Sequence, residues 1–197
     1  MKIELIDRTE LYKGFFKLLR LVLRYQRFDG RMSSEASLEI LERGDAAAVL
    51  LYDPKADALG LIRQFRPGPF LRGESGWCTE IVAGSCGAQS DHEAVAMRET
   101  LEETGWTPYD LRLIRSFYLS PSGSSERIHL YCGLFDSTCP REAGGGLEHE
   151  NEDILPVVVP YATALTWFEG QVFNSAIAVL AIQWLIANRD ALRRGDA

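Results

Sequence analysis

At 197 residues, 46% hydrophobic and 25% charged, the chain sits at the globular average and is long enough to bury one substantial core. Its 28 acidic against 21 basic residues give a formal net charge of −7, which argues against a protein that grips a nucleic-acid backbone and requires any phosphate ligand to be held locally, by metal or arginine. Four cysteines without a C-x-x-C pair write neither a zinc site nor a disulfide framework, and no secretory leader or uninterrupted apolar span is present, so the expected setting is cytoplasmic and away from membranes.

Between Phe15 and Phe28, Leu19, Leu21, Leu23 and Tyr25 share one parity and Arg20 and Arg24 the other, which predicts a strand ending in an Asp29-Gly30 hairpin turn. Strands follow at Ala46–Tyr52 and Leu59–Phe65, parted by the turn-forming Asp53-Pro54, and a loop from Pro67 to Gly76 ends this β-rich third. The segment Asp91 to Thr104 lacks Gly and Pro, has Ser90 or Asp91 to cap its start and Gly105 to stop it, and predicts a helix. Next come strands Leu111–Leu119, Arg127–Phe135 and Ile154–Val159; the loop Ser120–Ser125 divides the first two, and Gly144-Gly145-Gly146 marks a mobile loop before the third. A helix after Pro160 and a longer one capped by Asn174 close the chain, the latter with Ile177, Leu180, Ala181, Trp184 and Leu185 at helical spacing as a core stripe. This order predicts an α+β fold, an α/β/α sandwich in which helices flank a mixed sheet over residues 45–197, with an antiparallel β extension over 1–44 suited to dimerisation.

On the Asp91–Thr104 helix, Glu99, Glu102 and Glu103 stand three and four residues apart, which places their carboxylates along one face. Like charges at this spacing cost roughly 0.2–0.5 kcal/mol per pair unless a cation or a basic residue offsets them, and Arg98 can do so by pairing with Glu102. Carboxylate oxygens that leave room for water and phosphate are what magnesium prefers. Taken alone, the cluster reads first as a solvated acidic helix face.

The flanking residues decide between the two. Glu80 to Gly84 reads EIVAG, and the helix ends Glu-Glu-Thr-Gly-Trp at Glu102 to Trp106. This pattern resembles the Nudix box: Gly, five residues, Glu, seven residues, Arg-Glu, an apolar residue, any residue, Glu-Glu, any residue, Gly and an apolar residue. Gly84, Arg98, Glu99, Glu102, Glu103, Gly105 and Trp106 fall in register, while Ser90 stands at the first Glu, with Asp91 and Glu93 as neighbouring substitutes, and Thr100 fills an apolar slot.

The resemblance spans nearly the whole chain and is strongest to the ADP-ribose pyrophosphatase branch, through Leu11 to Phe16, Arg63 to Arg66, Ser120 to Gly123 with Ser125 to Arg127, Glu150 to Ile154, and Asn174 to Leu185. It implies two or three Mg2+ ions, with Mn2+ a possible substitute, held by the backbone carbonyl of Ala83 and by Glu99, Glu103 and Glu152. It further implies Glu102 in support, Glu150 as the catalytic proton acceptor, and Gly84, Arg98 and Gly105 as structural parts of the motif. Phe15 or Phe16 would stack on adenine, with plain core packing as the other reading of that pair. Arg66, Ser85, Ser120 and Glu126 would also contact substrate, the branch drawing such residues from both subunits of a homodimer; Leu38 stands where the branch often carries an arginine. The implied reaction is Mg-dependent hydrolysis of ADP-ribose to AMP and ribose 5-phosphate. A GDP-mannose or other nucleoside diphosphate-sugar pyrophosphatase is the alternative, and a nucleotide-sensing module is the non-enzymatic one. His92, His129 and His149 stand isolated in the sequence and carry no assigned role.

Overall fold

The computed structural model describes residues 1–87, 90–139, 141 and 144–195, with only the backbone of Glu150. The chain divides into two compact units, one formed by Met1–Asp45 with Phe117–Ile128, the other by Ala46–Ser116 with His129–Ala197.

In the first unit, β1 (Ile3–Lys13), β2 (Lys17–Tyr25) and β3 (Ala36–Glu42) form an antiparallel sheet in chain order, which leaves β1 at an edge. β2 is the strand read from its alternation, and Leu19 is its buried residue. The turn after it is closed by the Gly30 N–H donating to the Arg27 carbonyl, with Gly30 in the left-handed region that Asp-Gly favours. β1 escaped the sequence reading because it is exposed along nearly its whole length, Ile3, Leu5, Ile6 and Tyr12 included, so no buried face stamps a period on it. The 117–128 segment bonds to β3, the Leu41 N–H donating to Gly123 and the Ser125 N–H to Leu41.

The second unit carries the expected sheet with flanking helices. β4 (Asp45–Asp53), β5 (Ala58–Phe65), β8 (Asp110–Tyr118), β9 (Arg127–Leu134) and β10 (Leu155–Pro160) stand in the order β10-β5-β4-β9-β8. From Ala46 onward β4 is fully buried, as its unbroken apolar run requires of a strand covered on both faces. β4 and β5 pair only through Leu51–Asp53 and Ala58–Gly60 and then separate. Into the split come β6 (Trp77–Glu80), paired with the far half of β5, and β7 (Val82–Ser85), paired with the near half of β4. These two short strands lay the EIVAG segment across the sheet.

Over it lies α2 (His92–Thr104), packed on β7, β5 and β10, with Val95, Ala96 and Trp106 joining Val49, Leu51, Val82 and Phe135 in the core. Asp91 caps α2 by accepting the Glu93 and Ala94 N–H groups, and Gly105 ends it in the left-handed conformation. Thr100 fits the apolar slot of the motif because its buried hydroxyl donates to the Ala96 carbonyl.

Three sequence expectations are adjusted. The Pro67–Gly76 loop contains a short helix, α1 (Pro67–Leu71), begun by two prolines whose fixed φ suits a first turn. The last helix, α4 (Ala176–Arg194), has Ser175 rather than Asn174 at its N-cap position, and the Ser175 side chain makes no capping bond. Its buried stripe is Ala178, Ala181, Ile182 and Leu185, so Leu180 lies outside the core. The preceding α3 (Tyr161–Glu169) packs on β10 and β5, and no described helix is long and apolar enough to cross a membrane.

α4 is tied to the β4–β5 turn through Asp57. Its carboxylate accepts the Tyr52 hydroxyl (2.7 Å) and Arg189 Nε and Nη2 (2.8 and 2.5 Å), with Arg193 Nη1 at 2.9 Å. The Arg189 bonds, helped by Tyr52 and Arg193 against a burial penalty, lower the Asp57 pKa to about 2. A carboxylate depressed this far stabilises the folded state above its unfolded value near 3.9, and the contribution is lost as pH falls through about 2. Asp57→Asn should therefore cost about 2 kcal/mol at pH 7 in urea denaturation, with the gap to wild type closing between about pH 4 and pH 2. A gap unchanged across that window would refute the assignment.

Candidate active site

The C-terminal half of α2 presses its carboxylates onto β7. Glu99 lies directly against Gly84, where even a β-carbon would overlap the Glu99 carboxyl group, so any other residue here would displace that side chain. Glu103 is 2% exposed, accepts the backbone N–H of Ala83, and keeps Oε2 buried without a hydrogen-bond partner among the described residues. Burial raises its pKa well above the usual carboxylate range; the charges of Glu99 and Glu152 add to this, and Arg66 and the Ala83 N–H oppose it. Burial likewise raises Glu99, against the pull of Arg98.

Arg98 bridges two of the acids at 2.5 Å each, Nη2 to Glu99 and Nη1 to Glu102. Among the described side chains, no three of Glu99, Glu102, Glu103 and Glu152 bring oxygens mutually within 4.8 Å. The common point expected from helical spacing is thus opened by Arg98, which holds Glu99 and Glu102 while Glu103 turns to Ala83. The donor set nevertheless fits a hard divalent cation. Its oxygens are anionic, two of the carboxylates are raised by burial and mutual repulsion, and the unpartnered Glu103 oxygen would otherwise cost about 1–3 kcal/mol.

The Gly144-Gly145-Gly146 segment is docked on the end of α2. The N–H groups of Gly145 and Gly146 both donate to the Glu102 carbonyl, one of the acceptors a helix terminus leaves open, and the Ile154 N–H donates to Gly145. Glu152 accepts the Leu147 N–H at 3.1 Å, and its charge acts on both Glu99 and Glu103. Glu150 ends a 3-10 turn, Glu148–Glu150, and its side chain lies outside the described residues.

The second unit therefore gathers Glu99, Glu102, Glu103, Glu152, Ala83 and Gly84. It also holds the exposed Ser85 and the half-buried Arg66, whose Nε donates to Glu80 at 2.7 Å. Phe15, Phe16, Ser120 and Glu126 belong to the first unit. There Phe15 is 94% and Phe16 36% exposed, which removes the core-packing reading; Arg43 lies over the Phe16 ring and ion-pairs with Glu126 at 2.8 Å. Ser120 offers its carbonyl to Gly123 and Ser124. Beside Ser90, Asp91 caps the helix through Oδ1 and Glu93 is exposed in the first turn.

Three residues, one in the site and two beside each other elsewhere in this unit, escaped the sequence reading. Glu80 is buried and receives both Arg66 and the Gln64 amide, a pair of polar residues on otherwise apolar strand faces whose alternation was the available signal. His92 and His129 are not isolated: their rings stack at 3.7 Å, and His129 Nδ1 meets the Ser116 hydroxyl at 2.8 Å. Gly84→Ala should displace Glu99 and weaken Mn2+ binding about tenfold or more by calorimetry, with circular dichroism unchanged; wild-type affinity would contradict the placement.

Comparison with known proteins agrees with this geometry. The family model described as NUDIX domain matches residues 42–171. The chain is 40% identical to the ADP-ribose pyrophosphatase of Escherichia coli strain K12 over 193 residues, 97% of this chain and 91% of that protein. It is 39% identical to the ADP-ribose pyrophosphatase of Haemophilus influenzae, covering 98% and 89%, and 32% identical to the GDP-mannose pyrophosphatase of Cronobacter sakazakii, covering 94% and 95%. A crystal structure of an ADP compounds hydrolase shares the fold with a TM-score of 0.73 at 19% identity, covering 100% of this chain and 98% of that one. A box in register, Glu99 packed on the glycine that opens it, and a family match over most of the length agree: the chain belongs to the Nudix family.

Proposed function

We propose that this Nudix hydrolase cleaves the diphosphate bond of ADP-ribose, giving AMP and ribose 5-phosphate. The observation that carries the reading is the buried Glu103 carboxylate, its Oε2 without a partner among the described residues, acted on by the charges of Glu99 and Glu152, in a chain whose relatives at 39–40% identity are ADP-ribose pyrophosphatases. Two or three Mg2+ ions, with Mn2+ as substitute, would be held by the Ala83 carbonyl, Glu99, Glu103 and Glu152, and would supply neutralisation of the charge that develops on the phosphoryl oxygens.

The chain's own residues do the rest. Glu150 accepts a proton from the attacking water, whose oxygen bonds to one phosphorus as the bond from that phosphorus to the bridging oxygen breaks. Arg98 bridges Glu99 and Glu102, and Arg66 offers its guanidinium to the diphosphate. Phe15 and Phe16 supply exposed rings for adenine, and Ser85, Ser120 and Glu126 add polar contacts. A homodimer forms through the first unit, where β1 presents an unpaired edge and exposed Ile3, Leu5 and Ile6. Retention of Glu99, Glu102 and Glu103 favours an enzyme over a sensing module.

GDP-mannose is the second substrate to consider, because a relative at 32% identity is a GDP-mannose pyrophosphatase. Purified protein with magnesium should release AMP from ADP-ribose with a kcat/KM at least about tenfold above that for GDP-mannose or NADH, since discrimination lies in contacts to base and sugar. Reversal of that ranking would replace the substrate and keep the chemistry. Glu103→Gln should lose on the order of a hundredfold or more in kcat. Light scattering should give twice the 22.1 kDa chain mass, and a mass near one chain would exclude the dimer.

A further inference from the structure

The acidic site contains one buried carboxylate that the proposed chemistry does not use. Glu80, 9% exposed, ends β6, and its Oε2 receives Gln64 Nε2 at 3.3 Å and Arg66 Nε at 2.7 Å. A charge this deep is retained only with partners, and both come from the neighbouring strand. Register explains why. Ile62 pairs with Glu80 and Gln64 with Cys78, so Gln64 and Glu80 share a face, and Arg66 extends that face just past the end of β5.

The backbone at Arg66 is fixed from the other side. Its N–H donates to the Gly76 carbonyl at 2.7 Å, and Phe65 packs against Phe70 and Trp77 with ring centroids 5.8 and 6.0 Å apart. What remains free is the Arg66 side chain, 41% exposed, and Glu80 binds it through Nε. That bond leaves Nη1 and Nη2 outside the pair. A guanidinium bound along its Nε side retains the edge that matches a phosphate with two parallel bonds. The Arg66 charge also acts on Glu103, which places it within electrostatic reach of the catalytic carboxylates.

We propose that Glu80 is a positioning residue, a buried carboxylate that fixes the Arg66 guanidinium by its Nε so that the two terminal nitrogens are presented to the diphosphate of the substrate. The inference rests on the nucleoside diphosphate-sugar reading of the site. Glu80 touches neither reacting atoms nor leaving group. It removes rotamer freedom from Arg66 before substrate arrives and keeps the arginine from collapsing onto Glu99, Glu103 and Glu152, the acids that outnumber it.

A double-mutant cycle tests this, with Glu80→Gln, Arg66→Ala and the double variant compared for steady-state hydrolysis of ADP-ribose and for calorimetric binding of inorganic pyrophosphate with magnesium. Glu80→Gln keeps an acceptor but removes the charge. It should raise KM and weaken pyrophosphate binding by about tenfold while leaving kcat within about threefold. In the Arg66→Ala background the same substitution should change either quantity less than about twofold, because its effect travels through the arginine. Glu80→Asp, which keeps the charge but shortens its reach, should behave like Glu80→Gln and carries the test if the glutamine variant melts early. Independent, multiplicative effects overturn the inference, as does a loss confined to kcat or a wild-type protein that fails to bind pyrophosphate. Coupling seen in pyrophosphate binding by a protein inert towards ADP-ribose would overturn the proposed reaction and leave the positioning pair standing.

Discussion

Pressing a row of carboxylates onto the backbone of a strand is the constraint around which the catalytic unit is arranged. Glu103 is buried with one oxygen unpartnered among the described residues, and Glu99 is packed against a glycine whose β-carbon would meet its carboxyl group. That contact fixes the height of α2 above β7 and demands that β7 lie in the sheet rather than loop over it. The split between β4 and β5 satisfies the demand, because it admits β6 and β7 as ladder partners and meets their backbone hydrogen bonds while exposing Ala83 and Gly84 to the helix.

So much negative charge is tolerated because each acid is met by a local partner. Arg98 serves Glu99 and Glu102, the Ala83 N–H and the charge of Arg66 serve Glu103, and the Leu147 N–H serves Glu152. None of these removes the repulsion, since burial still leaves Glu99 and Glu103 easier to protonate than free carboxylates. In a chain of net charge −7, no long-range field draws in a diphosphate. Its affinity must come from within a few ångströms, from cations among the glutamates and from an arginine already aimed.

What could be read from the sequence follows from which residues stamp a pattern on it. β2, β4, β5 and α2 were legible because burial imposes a period and caps mark the ends, and the box was legible because its residues sit on one helix and the strand before it. β1 was not, since a strand exposed on both faces has no apolar parity. β6 and β7, four residues each, are too short for alternation to show. At the start of α4, Asn174 and Ser175 are equally good caps by type, so residue type alone did not fix which of them stands at the N-cap position. The pairing of Arg66 with Glu80 depends on strand register, and the stacking of His92 on His129 depends on where α2 starts relative to β9. Neither is encoded locally.

Glu102 shows how one residue can serve the site twice. Its carbonyl belongs to the last turn of α2, where no helical N–H remains to bond it, and the glycine loop fills that vacancy with two donors. Its side chain is spent on Arg98, which ties it to Glu99 rather than to Glu103. The loop that carries Glu150 and Glu152 is therefore anchored to the same helical turn that carries Glu99 and Glu103, so displacement of that turn would move both sets of carboxylates together. A reorganisation of the site on substrate binding that left α2 in place would have to begin on the far side of Gly146, in the 3-10 turn and the left-handed Asn151, where the anchoring bonds to Glu102 end.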